Sequence, residues 1–115
     1  MKRIFVEAPA FTRWLPDYLT DEAYRLLQQT LLENPEQGAV IPGTGGFRKL
    51  RWPDIRRGKG ARGGLRIIYY HLADERQIWL FTIFDKDELA DLGPQEKRQL
   101  KRTIEQELAA RKKRK

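Results

Sequence analysis

The side chains best suited to chemistry in this chain are cations, and a dense group of them falls in one stretch, Gly43 to His71, GTGGFRKLRWPDIRRGKGARGGLRIIYYH. Lys49 and Arg51 stand two residues apart in Phe47–Trp52, a segment that alternates in the strand sense. Both therefore emerge on one face with Phe47, while Arg48, Leu50 and Trp52 emerge on the other. Leu65–His71 alternates in the same way: Arg66, Ile68 and Tyr70 share one side, and Leu65, Ile67, Tyr69 and His71 the other. Between the two strands lies PDIRRGKGARGG, in which Arg56, Arg57, Lys59 and Arg62 are interleaved with Gly58, Gly60, Gly63 and Gly64. Glycine lets a backbone bend and come close to a ligand. Cations on a sheet face beside a mobile cationic loop suit a polyphosphate partner.

Composition narrows the chemistry further. The 115 residues carry 23 Lys+Arg against 16 Asp+Glu, a net charge of +7. That balance favours nucleic acid or an acidic protein as partner. The charge is concentrated in Arg48–Arg66 and Arg98–Lys115, which sets it apart from an evenly spread solubility device. No cysteine is present and histidine occurs once, so disulfides, thiol chemistry and the usual nitrogen- and sulfur-ligated zinc or iron sites are excluded. The chain has no serine, which excludes a Ser-His-Asp triad. No cluster of Asp and Glu marks a carboxylate-only Mg²⁺ site, and no cofactor motif stands out. The glycines at 43, 45 and 46 lack a following Walker lysine and read as a plain connection. No apolar run reaches transmembrane length and the N-terminus lacks a signal-peptide core, so the expected location is the cytoplasm, away from membranes.

The elements that must position these cations can be read in order. Arg3–Glu7 is an opening strand rich in β-formers, ended by Pro9. Phe11, Trp14 and Leu15 take helical spacing in a short segment closed by Pro16. Thr20 caps a second helix, with Asp21 and Glu22 in its first turn and Tyr24, Leu27 and Leu31 along its apolar stripe. Asn34-Pro35 stops it, and Glu36–Gly46 is a loop. After the two cationic strands, Gln77–Phe84 is almost continuously apolar and reads as a central strand buried on both faces. Asp85–Leu92 is a loop or short helix. Pro94 then opens a last helix, with Leu100, Ile104 and Leu108 as its stripe and a frayed basic tail from about residue 109 to 115. The expected fold is a single compact α+β domain over residues 1–115, in the order β-α-α-β-β-β-α. Its sheet is mainly antiparallel, with the helices packed on one face and the other face partly open.

With these residues in view, GTGGxRKLRW, GKGxRGGxRIIYY and DKDELADL, the last in the place of Y-x-K-x-E-x-x-D-L, closely resemble the HigB branch of the RelE superfamily, the toxins of type II toxin–antitoxin systems. The resemblance runs from the opening RIFVE strand to Ile104. It implies a compact RelE-like sheet with packed helices and ribosome-dependent, metal-independent endonuclease activity on translated mRNA. It also implies neutralisation by a cognate antitoxin, for this branch usually a helix-turn-helix protein of the HigA kind, the pair then binding operator DNA.

Carried onto this sequence, the resemblance makes Lys49 a general base or electrostatic stabiliser and has Arg51 and Arg66 clamp the scissile phosphate. Lys86 becomes a further cation or the acid. Arg48, Arg56, Arg57, Lys59, Arg62 and Tyr70 would contact RNA. Metal-free cleavage needs a base for the 2′-OH, cations for the growing phosphorane charge and an acid for the leaving 5′-oxygen. A lysine acts as base only where neighbouring cations favour its neutral form. Two departures stand out: Asp87 occupies a place where relatives can carry arginine, and no aromatic follows Phe84. His71 has the parity opposite Arg66 and reads as a strand-end structural residue, Trp52 and Trp79 read as core, and Arg66 has Asp85 and Asp87 as candidate carboxylate partners. Two other activities fit the same fold: a ParE-like inhibitor of DNA gyrase, and a non-catalytic RNA-binding domain.

Overall fold

A computed structural model describes residues 3–55, 58, 60, 64–86 and 92–114, of which 113 and 114 as backbone only. Five strands and three helices follow in the order β1 (Ile4–Glu7), α1 (Pro9–Tyr18), α2 (Asp21–Glu33), β2 (Ala39–Val40), β3 (Arg48–Trp52), β4 (Leu65–Leu72), β5 (Gln77–Asp85) and α3 (Pro94–Arg114). The sheet order is β1-β5-β4-β3-β2. β3, β4 and β5 form the expected antiparallel meander, and β1 joins β5 in parallel, with Ile4 opposite Gln77. β2 was absent from the sequence reading. At two residues it is too short to show alternation, and it exists by pairing with β3, Ala39 against Lys49 and Val40 against Arg48.

The helices depart from the expected one-sided layout. α1 and α2 cover one face, where Phe11, Leu19, Leu27 and Leu31 bury against Leu50, Leu65, Ile67, Tyr69, Ile78, Leu80 and Ile83. α3 covers the opposite face, where Leu100 and Ile104 bury with Ile68, Phe84, Phe47 and Ile41. The physical reason lies in β4 and β5. Both strands are apolar on both sides, so each side needs a cover, and the helices that precede and follow the meander supply one each.

Local signals explain most boundaries. The Thr20 hydroxyl accepts from the Ala23 N–H at 3.1 Å, capping α2. α1 runs through Pro16 to Tyr18, two residues past the expected stop. Proline's fixed φ is helical, its missing N–H costs a single bond in the last turn, and the Leu19 N–H then closes the helix on Leu15 O at 2.9 Å. At the start of α3 the Gly93 N–H donates to the Glu96 carboxylate at 2.8 Å. The helix continues to Arg114 where fraying was expected from about residue 109. Arg111 fixes its last turns, ion-paired with Glu107 at 3.2 Å and stacked 5.1 Å from the Trp79 ring centroid.

One irregularity shapes the α3 face. Ile68 pairs with Thr82 and Tyr69 with Leu80, which leaves Phe81 as an extra residue in β5. Such a bulge turns two consecutive side chains toward the same side. Phe81 and Thr82 both line the cleft beneath α3.

Candidate nucleic-acid interface

The cationic residues meet at one end of the meander because the strand register brings them there. Arg51 pairs directly with Arg66, and Lys49 pairs with Ile68 one step along the same face. Successive residues alternate faces, so Lys49 and Arg51 of β3 and Arg66 of β4 all emerge on the α3 side. Arg51 is exposed, Lys49 half-buried and Arg66 only 4% exposed. Arg66 donates through Nη1 to Leu65 O at 3.0 Å, which turns its guanidinium back along the strand. Lys86 leaves β5 just past Asp85, is exposed, and is held to the strand start by its N–H on Gly64 O at 3.2 Å. Lys49, Arg51 and Arg66 therefore share the α3 face of the sheet, from mid-strand to the Gly64 end, and Lys86 lies just past β5 at that end.

Two buried carboxylates share that end. Asp85 is 2% exposed and pairs across the sheet with Leu65. Asp54 is 1% exposed and lies two residues past β3. Asp54 was not singled out from the sequence; the proline before it was the sole local signal that the chain turns inward there. Gly64 is wedged between these segments: a Cβ there would lie 2.5 Å from Trp52 O and 2.8 Å from Asp54 N. Four cations against two carboxylates leave the region net positive, and like charges set directly opposite one another cost a sheet stability. A phosphate lying on the exposed Arg51 would accept charge-assisted hydrogen bonds from its fork.

Other expected contacts lie elsewhere. Arg48 points to the α1–α2 side, where its Nη1 donates to Glu36 O at 3.0 Å and Gly38 O at 2.8 Å and its Nη2 stands 3.9 Å from the Glu36 carboxylate. It thus braces the loop before β2. Tyr70 shares the face of Arg66, but its ring meets Phe47 edge-on at 5.3 Å, and the positive φ of Gly46 (116°) lets that backbone pass beneath it. A Cβ on Gly46 would stand 3.1 Å from the ring. Arg56, Arg57, Lys59, Arg62 and Asp87 lie outside the described residues.

His71 sits at the opposite end of β4, five residues from Arg66, and takes a structural position. Its Nε2 accepts from Arg3 Nη1 at 2.9 Å, so the ring proton lies on Nδ1, 3.4 Å from the Glu36 carboxylate. The buried Tyr69 and the half-buried Tyr24 are structural as well. Tyr69 donates to Pro35 O at 2.8 Å and accepts from the Gly38 N–H at 2.9 Å; burial raises its pKa, opposed by that backbone hydrogen bond. Tyr24 donates to Glu7 at 2.6 Å, and burial followed by the Glu7 carboxylate holds its hydroxyl well above the usual tyrosine range.

Beside the cationic row, a cleft of about 340 Å³ opens between the sheet and the first turns of α3. Among the described residues there is no cluster of three His, Cys, Asp or Glu side chains spaced to hold a metal, and no helix is long and apolar enough to cross a membrane.

No family model matches the chain. Among solved structures, a double arginine-to-alanine mutant of the E. coli toxin RelE in the free state is similar, with a TM-score of 0.52 and 16% sequence identity, over 78% of this chain and 90% of that one. The likeness, at that identity, is one of fold: this chain carries a compact α+β architecture, a mixed five-stranded sheet with three helices, similar to that of the toxin RelE.

Proposed function

We propose that the chain is the toxin of a type II toxin–antitoxin pair, an endoribonuclease of the HigB kind that cuts mRNA on the ribosome without a metal. The observation that carries this reading is the direct register of Arg51 with Arg66, with Lys49 one pair away on the same face and Lys86 at the same end. That row fits a scissile phosphate, and the RelE-like fold supports the class of activity. In this scheme Arg51 and Arg66 hold the phosphate and stabilise the charge that grows on it. Lys49 takes the 2′-OH proton or stabilises the attacking oxygen, and Lys86 is the donor nearest the leaving 5′-oxygen. The product end is a 2′,3′-cyclic phosphate. A helix-turn-helix antitoxin of the HigA kind would silence the toxin, and the pair would reach operator DNA through that antitoxin.

The test is induced expression in bacterial cells, with primer extension on an abundant translated message. New 5′ ends are expected with the wild type and not with Lys49→Ala or Arg51→Ala, and they should vanish when the start codon of the message is deleted. Growth arrest without new ends, together with inhibited supercoiling, would overturn the nuclease in favour of a gyrase inhibitor. Salt-sensitive RNA binding without cleavage under any condition would reduce the protein to an RNA-binding domain.

A further inference from the structure

The cleft under α3 is not explained by phosphate chemistry. Its floor is apolar, formed by Ile68 and Phe81 of the sheet and Leu100 of the helix, and three polar side chains reach it, Thr82, Gln95 and Gln99. Gln95 and Gln99 are one helical turn apart and so present their amides on the same side of α3. None of these three side chains makes a side-chain hydrogen bond among the described residues. Glu96 is also at the rim, with one carboxylate oxygen already taken by the Gly93 N–H. An apolar floor with a few convergent polar groups is the usual form of a small-ligand site.

Its position identifies the ligand. Lys49, Ile68 and Thr82 are successive neighbours in one cross-strand row. Strands lie about 4.8 Å apart, so the cleft begins one strand from the Lys49 backbone and two strands take it to Thr82. A polyanion lying on Lys49, Arg51 and Arg66 thus has its next chemical group placed over the cleft. A neighbouring groove that shares Phe81 is larger, about 460 Å³, but it runs on to Trp79 and Leu80 of β5 and to Thr103, Glu107 and Arg111 of α3, farther along both elements from Arg66, which pairs with Phe84.

We propose that this cleft takes a single unstacked nucleobase of the RNA whose phosphate lies on the cationic row. Phe81 and Ile68 would lie against the flat apolar surface of the base, and Thr82, Gln95 and Gln99 would meet its hydrogen-bonding edge. The β5 bulge matters here because it turns both the Phe81 ring and the Thr82 hydroxyl into one cleft. The inference rests on the RNA-cutting reading for its biological meaning; nucleotide binding can be tested without it.

The experiment is an NMR titration of the labelled protein with each of the four nucleoside 5′-monophosphates, against ribose 5-phosphate at the same millimolar concentrations. At least one nucleotide should shift the side-chain amide signals of Gln95 and Gln99 and the methyl signals of Ile68 and Leu100 saturably, while ribose 5-phosphate leaves them unmoved. The double variant Gln95→Ala/Gln99→Ala, altered only at exposed positions, should keep its fold and bind that nucleotide about tenfold more weakly, the loss of two modest hydrogen bonds. In cells, the same variant should redistribute cut sites among bases while total cleavage stays within about threefold, a split between specificity and rate that a merely structural change would not produce. Equal shifts with ribose 5-phosphate, or none at the cleft with any nucleotide, would overturn the pocket. A wild-type protein that cuts no RNA would overturn the nuclease reading and leave the titration to decide the pocket by itself.

Discussion

At the Arg3 end of the sheet the charged groups are tied to the protein itself. Arg48 donates to two carbonyls and lies near Glu36, and Arg3 donates to His71, whose other nitrogen faces the same carboxylate. At the Gly64 end Arg51 and Arg66 stand in direct register, and Arg51 and Lys86 face solvent. The chain thus sets two arginines in unlike surroundings only three residues apart, at 48 and 51. Their difference is parity: position 48 falls on the helix-covered α1–α2 side next to a loop full of carbonyls, and position 51 falls on the side where charge accumulates. A cation's role here is set by which face its strand position selects and by what acceptors that face already holds.

The contrast can be broken most severely at Gly64. Gly64→Ala would drive a Cβ into Trp52 O and Asp54 N, which are backbone atoms with little room to move. It should destabilise the protein by about 3 kcal/mol, seen as a lower midpoint in urea, and abolish cleavage with it. A cleaner separation comes from the two arginines. Arg51→Ala should cut cleavage about a hundredfold, by analogy with removal of one donor to a developing oxyanion, while the melting temperature holds or rises slightly as the like-charge pair with Arg66 is lost. Arg48→Ala should do the reverse, lowering stability by about 1–2 kcal/mol through the orphaned carbonyls while cleavage per folded molecule stays within about threefold. If the two variants behaved alike, the distinction between the ends would fail.

Smaller effects are expected at Tyr69 and Tyr24, whose hydroxyls are tied to the protein itself. Tyr69→Phe removes the acceptor of the Gly38 N–H and the donor to Pro35 O, and should cost about 2 kcal/mol with no change in RNA cleavage. Tyr24 gives a pH signature. Its folded pKa is raised, so above about pH 10 the unfolded chain loses the proton first and the stability contributed by Tyr24 declines. Denaturation midpoints should therefore fall with rising pH in that window, and Tyr24→Phe should flatten the slope.

Much of this architecture was legible in the residues, and the misses share a cause. Phe47–Trp52, Leu65–His71 and Gln77–Phe84 announced themselves by period-2 alternation or by continuous apolarity. The same parity put Lys49 with Arg51 and Arg66 with Ile68 and Tyr70. Parity alone could not join those two sets on one side, because that depends on which residue of β3 opposes which of β4, and the intervening glycine-rich loop does not encode the register. Nor could it foresee the bulge at Phe81, a change in count between strands. β2 was invisible since two residues carry no pattern. α3 was read on the wrong side because an apolar stripe states that a helix packs, not against what. Gln95 and Gln99 read as solvent-facing amides of a helix until the fold set them around one cleft with Thr82, and nothing local announced the burial of Asp54.

The parallel pairing of β1 with β5 carries a kinetic consequence. Ile4 meets Gln77 across roughly seventy residues of chain, whereas the β3, β4 and β5 contacts close much shorter loops. Closing the long loop is entropically expensive before any contact rewards it, so the edge strand should dock late, onto a meander already formed. Substitutions at Ile4 or Phe5 should then mainly accelerate unfolding, whereas truncation of Ile67 should slow folding, as stopped-flow measurements would reveal. Lys49, Arg51 and Arg66 all lie on the meander, so in the order of folding the surface proposed to meet RNA is built before the molecule has finished its own border.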